Sequence, residues 1–147
     1  AGAVRRLRYP VAVVRDVRTI VAAHAFALEP WQDGEDAALA TRRFLAGNGE
    51  RIARDLILLK RADLGAKSVP QWERTALDRL GTLLEEAIHA PHRLGDLAVD
   101  GNDLIASGLV EGPALGGILA GLLSRVVDDP GLNTREQLLE LAGELAR

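Results

Sequence analysis

Gly112-Pro113-Ala114-Leu115-Gly116-Gly117-Ile118-Leu119-Ala120-Gly121-Leu122-Leu123-Ser124-Arg125-Val126-Val127-Asp128-Asp129-Pro130 decides the fold class. Leu115, Leu119, Leu122, Leu123 and Val126 recur at spacings of three and four, which places them on one face of an α-helix. Gly112-Pro113 opens that helix, because proline fits the first helical position, where its missing N–H is not needed. Asp128-Asp129-Pro130 closes it.

The same periodicity extends outward in both directions. Downstream, Asn133 or Thr134 caps a last helix carrying Leu138, Leu139, Leu141 and Leu145, with Glu136 and Glu140 near its positive end. Upstream, Asn102 or Asp103 caps a short helix that runs through Ala106 and stops at Gly108. Before Pro91 the helices lengthen. Residues 11–28 carry Val13, Val14, Val17, Ile20, Val21 and Ala25 as a stripe, started by Pro10 and ended by Leu28-Glu29-Pro30. A second helix runs from Asp36 to about Ala46, and Gly47-Asn48-Gly49 marks a stop and restart. A third uses Ile52, Leu56 and Leu59 and fades at Gly65. Ser68-Val69-Pro70-Gln71 starts a fourth, striped by Trp72, Ala76, Leu80, Leu83, Leu84 and Ala87 up to Ala90-Pro91. No segment alternates as a strand would. The expectation is an all-α chain of about seven helices: a helical body over residues 1–93, then a smaller glycine-rich tail over 94–147.

Composition narrows the classes of function. The 147 residues are 48% hydrophobic and 27% charged, which excludes a disordered tail. There is no cysteine, so disulfides, thiolate zinc sites and a cysteine nucleophile are excluded. Apolar runs are short and broken by Arg, Asp or Glu, so nothing spans a membrane, and no secretory signal pattern is present. A cytoplasmic protein is expected. Aromatic residues are only 3%, so base stacking cannot be the main mode of any nucleic-acid binding. The absence of methionine and the start Ala1-Gly2-Ala3 predict a piece of a longer protein.

Net charge is −3, unevenly spread. Residues 1–27 hold five Arg and one Asp, whereas residues 96–147 hold three Arg and nine acids. A basic start and an acidic end argue against a uniform nucleic-acid footprint, so contact with phosphates has to be local.

Few constellations carry chemistry. His89-Ala90-Pro91-His92 with Asp96 offers two imidazoles and a carboxylate, but Pro91 breaks the helix, and exposed turn residues are expected there. His24 lies near the end of the first helix and Asp63 near the end of the third; Asp63 is either a metal ligand or a partner of Arg61, Lys67 or a nearby amide. No P-loop and no Ser-His-Asp set at a nucleophile elbow occurs. Trp31 and Trp72 are expected in the core. The Gly108–Gly117 turn runs directly into a helix N-terminus, whose free amides and dipole can hold a phosphate oxygen. Glu111 opposes an anion there. The alternative is a tight helix–helix turn in which Gly116 and Gly117 allow close packing.

Leu97-Ala98-Val99-Asp100-Gly101-Asn102-Asp103-Leu104-Ile105, followed by Gly108, Gly112-Pro113, Leu115-Gly116, Ile118-Leu119, Leu122-Leu123, Val126 and Asn133 through Leu138-Leu139, resembles the C-terminal helical region of bacterial tRNA nucleotidyltransferases, the CCA-adding enzymes and related poly(A) polymerases. Arg42-Arg43-Phe44-Leu45, Ile57 to Lys60 and Arg61-Ala62-Asp63-Leu64-Gly65 resemble the helical middle of that family, in the branch with an HD-type domain. The resemblance covers roughly Val11 to Leu145. It implies an N-terminal catalytic head with a metal-binding carboxylate pair on a sheet, using Mg2+ with CTP and ATP. Nothing in this sequence matches such a head. The chain therefore looks like body and tail, with no cofactor of its own, and with tRNA and its own N-terminal catalytic head as partners. On that resemblance the RNA-binding candidates are Arg5, Arg8, Arg15 and Arg18, with the helix termini at Gly112, Gly116 and Asn133 next. His24 and Asp63 could match later members of an HD metal set, although the His-Asp doublet that should precede them is missing. A metal-dependent phosphohydrolase domain is thus one alternative, and a structural or dimerising module built on residues 108–127 is another.

Overall fold

Proline and glycine punctuate the chain, and the helices fall between them. The computed structural model describes residues 10–34, 36–109 and 111–147. Pro10 precedes α1 (Val11–Ala23); α2 spans Ala37–Asn48, α3 Glu50–Gly65, α4 Gln71–Ala87, α5 Gly101–Ala106, α6 Pro113–Asp128 and α7 Arg135–Leu145. Three single 3-10 turns lie at Glu29–Trp31, Leu94–Asp96 and Pro130–Leu132. No strand is present among the described residues, so the fold is all-α. No described helix is long and apolar enough to cross a membrane. Contacts divide the chain into two compact units, the first ending at Leu84 and the second spanning Glu85–Arg147, so the division falls inside α4.

In the first unit, Gly49 both ends α2 and begins α3. Its φ of 73° lies in the left-handed region, which glycine enters without a Cβ clash. The core gathers Leu45, Ala53, Leu56, Leu77, Leu80 and Leu84, each nearly or fully buried. Phe26, Trp31 and Phe44 pack mutually, with centroids 5.1 to 6.2 Å apart. No residue of α1 is fully buried: Val14, Val17 and Ile20 are half-buried, whereas Val13 and Val21 are exposed. Asp16 on α1 pairs with Arg51 on α3 at 2.8 Å.

The first helix is shorter than residues 11–28. It ends at Ala23 because the following carbonyls and side chains find tertiary partners. Lys60 Nζ donates to the Phe26 carbonyl at 2.9 Å and stands 5.0 Å from the Phe26 ring centroid. Leu28 is buried, and Pro30 sits in the 3-10 turn. Arg79 on α4 then fixes this turn by donating from Nη1 to the carbonyls of Trp31 and Gln32 at 3.1 and 3.0 Å.

The second unit closes α5, α6 and α7 around Val99, Leu104, Ile118, Leu122, Val126, Leu138 and Ala142. Burying a leucine such as Leu104, Leu122 or Leu138 contributes roughly 1.5–3 kcal/mol. Asp100 caps α5, accepting from the Asn102 and Asp103 N–H groups at 2.8 and 3.0 Å, while the Asp103 carboxylate accepts the Asp100 N–H at 3.0 Å. The cap is therefore Asp100, not Asn102 or Asp103, because only the residue still in extended geometry can turn its side chain onto the free amides. Thr134 caps α7, its hydroxyl oxygen 3.4 Å from the Gln137 N–H it accepts. α6 and α7 pack closely at Gly121, where a Cβ would stand 3.1 Å from Leu145 Cδ1.

Candidate nucleic-acid interface

The N-terminal turn of α6 presents little but backbone. Gly112 is extended and provides no side-chain cap, and Pro113 occupies the first helical position. Ala114, Gly116, Gly117 and Ala120 are exposed, and open space surrounds the positions where Gly116 or Gly117 would carry a Cβ. Close helix packing is thus made at Gly121 and not at Gly116 or Gly117. Leu115 and Ile118 turn the opposite side of α6 inward. The helix offers first-turn amides and a positive dipole end with small neighbours, a geometry that accepts an anionic oxygen. Glu111 is exposed beside it.

Asn133 belongs to the framework around this turn. Its Oδ1 accepts the Ala98 N–H and its Nδ2 donates to the Asp96 carbonyl, both at 2.9 Å. The amide that the sequence offered as an RNA contact is used largely inside the fold. Arg135 pairs with Asp103 at 2.8 Å.

In the other unit, Arg15 and Arg18 on α1 are exposed and three residues apart, so they are neighbours on the helix surface. Arg15 Nε stands 3.8 Å from Asp16, and Arg18 has no ion-pair partner among the described residues. Arg5 and Arg8 lie outside the described residues.

His24 and Asp63 come within electrostatic reach of each other. Lys67 Nζ is 2.7 Å from the Asp63 carboxylate and holds its pKa below the usual aspartate value, mainly by that hydrogen bond. Burial opposes this, and the charges of Lys67, Lys60 and His24 add to it. The His24 ring Nδ1 is engaged with the Val21 carbonyl. Among the described residues no group of three or more His, Asp or Glu is placed to hold a metal ion.

His92 departs from the exposed turn expected for it: the residue is 5% exposed, whereas His89 is exposed. Asp96 causes the difference. Its carboxylate accepts the backbone N–H groups of His92 and Arg93 at 3.0 and 2.9 Å, which folds the segment after Pro91 inward. The His92 Nδ1 lies 2.8 Å from the Ala90 carbonyl, and Nε2 is buried without a partner among the described residues. Trp31 is buried as expected, and Trp72 is half-buried. Sequence reasoning missed a shallow depression of about 690 Å³ lined by Asp33, Gly34, Ala37, Ala38, Arg79 and Leu83. Its one signal is Gly34, whose missing Cβ leaves room for the Arg79 guanidinium.

No family model matches the chain, and no solved structure matches it. Among curated proteins, the chain is similar to the CCA-adding enzyme of Limosilactobacillus fermentum, with 32% identity over 99 residues, 67% of this chain. The chain spans 22% of that protein's length. This similarity supports a relationship to the tRNA nucleotidyltransferases at the level of the family.

Proposed function

We propose that these helices are a tRNA-holding region of a tRNA nucleotidyltransferase, CCA-adding or poly(A)-adding, working in the cytoplasm. The nucleotide chemistry belongs to a catalytic head outside these 147 residues, where Mg2+ and CTP or ATP would bind. The observation that carries this reading is the 32% identity to a CCA-adding enzyme over 99 residues.

Holding RNA in this way needs charge and shape more than base recognition. Arg15 and Arg18 supply exposed cations on α1. The first turn of α6 supplies amides with no bulky side chain in front of them. Both favour phosphate oxygens regardless of sequence. The scarcity of aromatic residues fits a grip of this kind.

The phosphohydrolase alternative has less support, because Lys67 already occupies the Asp63 carboxylate. Binding of unmodified tRNA by the double variant Arg15→Glu/Arg18→Glu tests the proposal. Reversing two phosphate-facing charges lowers affinity about tenfold or more at low salt. Unchanged affinity counts against the assignment of α1.

A further inference from the structure

We infer that Asn133 and Arg135 clamp residues 94–106 as a strap, and that this clamp sets the position of the first turn of α6. The strap has weak means of its own. It comprises a 3-10 turn, an extended stretch and the six-residue α5, which is too short to persist as an isolated helix. Its own bonds are local: Asp96 onto the preceding His92 and Arg93 amides, and the reciprocal Asp100–Asp103 cap. Those bonds shape the strap without fixing where it lies.

Placement comes from a stretch of three residues at the start of α7. Asn133 holds one end through Ala98 and Asp96, with both of its bonds at 2.9 Å. Arg135 holds the other end through Asp103 at 2.8 Å. Between those two points Gly101 lies flat against α6: a Cβ there would stand 3.4 Å from Leu115 Cδ2. Leu115 belongs to the first turn of α6, where its N–H donates to the Gly112 carbonyl at 3.0 Å. Val99 and Leu104 bury the apolar side of the strap in the core, so they give adhesion, whereas the directional bonds of Asn133 and Arg135 give register. The strap and the first turn of α6 therefore open together, ahead of the rest of α6 and α7, whose buried Leu122, Val126 and Leu138 open only with the whole unit.

Asn133 and Arg135 act through the strap, as positioning residues. The consequence for RNA rests on the function proposed above for the first turn of α6.

Amide hydrogen exchange on the full 147-residue chain tests the clamp. Asn133→Ala speeds exchange about tenfold at residues 98–106 and 115–118, the loss expected for one part-buried and one exposed hydrogen bond. Exchange at residues 122–127 and 138–142 stays unchanged. Arg135→Ala gives a smaller effect at the same amides because its ion pair is more exposed, and Arg135→Lys restores most of it. Arg147→Ala, whose side chain donates to the Gly143 carbonyl of its own helix, has none. Acceleration spread evenly over residues 85–147, or none anywhere, overturns the clamp. Affinity for tRNA, measured on the same variants, separates the two claims. A drop for Asn133→Ala that Arg135→Lys does not share supports both. A strap that loosens in a chain that never binds tRNA, even unmutated at low salt, leaves the clamp standing and removes the function proposed above.

Discussion

The indole N–H of Trp31 donates to Thr41 Oγ1 at 2.8 Å, and the Thr41 hydroxyl donates onward to the Ala37 carbonyl at 2.7 Å. Both residues are buried, at 4% and 0% exposure, so the threonine is the acceptor for an indole N–H that water hardly reaches. Thr41→Val keeps the shape and removes the acceptor. Leaving a buried donor unmade costs about 1–3 kcal/mol. Urea unfolding of the variant should show that loss, and Thr41→Ser, which keeps the hydroxyl, should show less. A valine variant as stable as the parent contradicts the role given to this bond.

Gly34 and Gly49 separate two reasons for needing glycine. Both have positive φ, 88° and 73°. Open space surrounds Gly49, whereas a Cβ on Gly34 would stand 2.7 Å from Arg79 Nη1 and displace the guanidinium that holds the Trp31 and Gln32 carbonyls. Gly49→Ala should cost about 1 kcal/mol from backbone strain alone. Gly34→Ala should cost more, and thermal melts of the two variants decide the order. Equal costs show that Arg79 moves aside freely.

Asp96 makes part of the stability depend on acid. Its carboxyl is held below the ordinary value of 3.8, first by the His92 N–H, then by the Arg93 N–H and the charges of Arg93 and His92, against the opposing effect of burial. A depressed folded value means that the stabilisation is present above the unfolded value, near pH ~4, and is lost as pH falls through the folded one. The parent should therefore lose more stability than Asp96→Asn between about pH 5 and pH 2. The difference should not exceed about 1 kcal/mol, because the side chain is 26% exposed. Parallel curves for the two proteins show that Asp96 does not carry this acid dependence.

Helix existence was legible wherever apolar residues repeat and a strong punctuator follows. Pro113 and Asp128 bound α6 as read, because proline at the start and an aspartate pair before proline at the end act through the local backbone. Gly65 ended α3 in the same way. The end of α1 was not legible, because Lys60, 34 residues away, takes the Phe26 carbonyl. Asn133 shows the same limit at the candidate site. An asparagine beside a helix start reads equally well as a cap, an RNA contact or a tie, and only its bond to Ala98, 35 residues away, decides between them. His92 was misread because Asp96 draws in backbone amides, which leave no periodic trace in the sequence.

The salt dependence of tRNA binding by the unmodified chain tests the central claim most directly. A grip made by arginines and helix amides on phosphates predicts measurable binding near ~50 mM salt. The logarithm of the affinity should then fall linearly with the logarithm of salt concentration, losing roughly 0.7–0.9 of slope for each phosphate neutralised. No binding at that salt, or binding that salt leaves unchanged, contradicts the account.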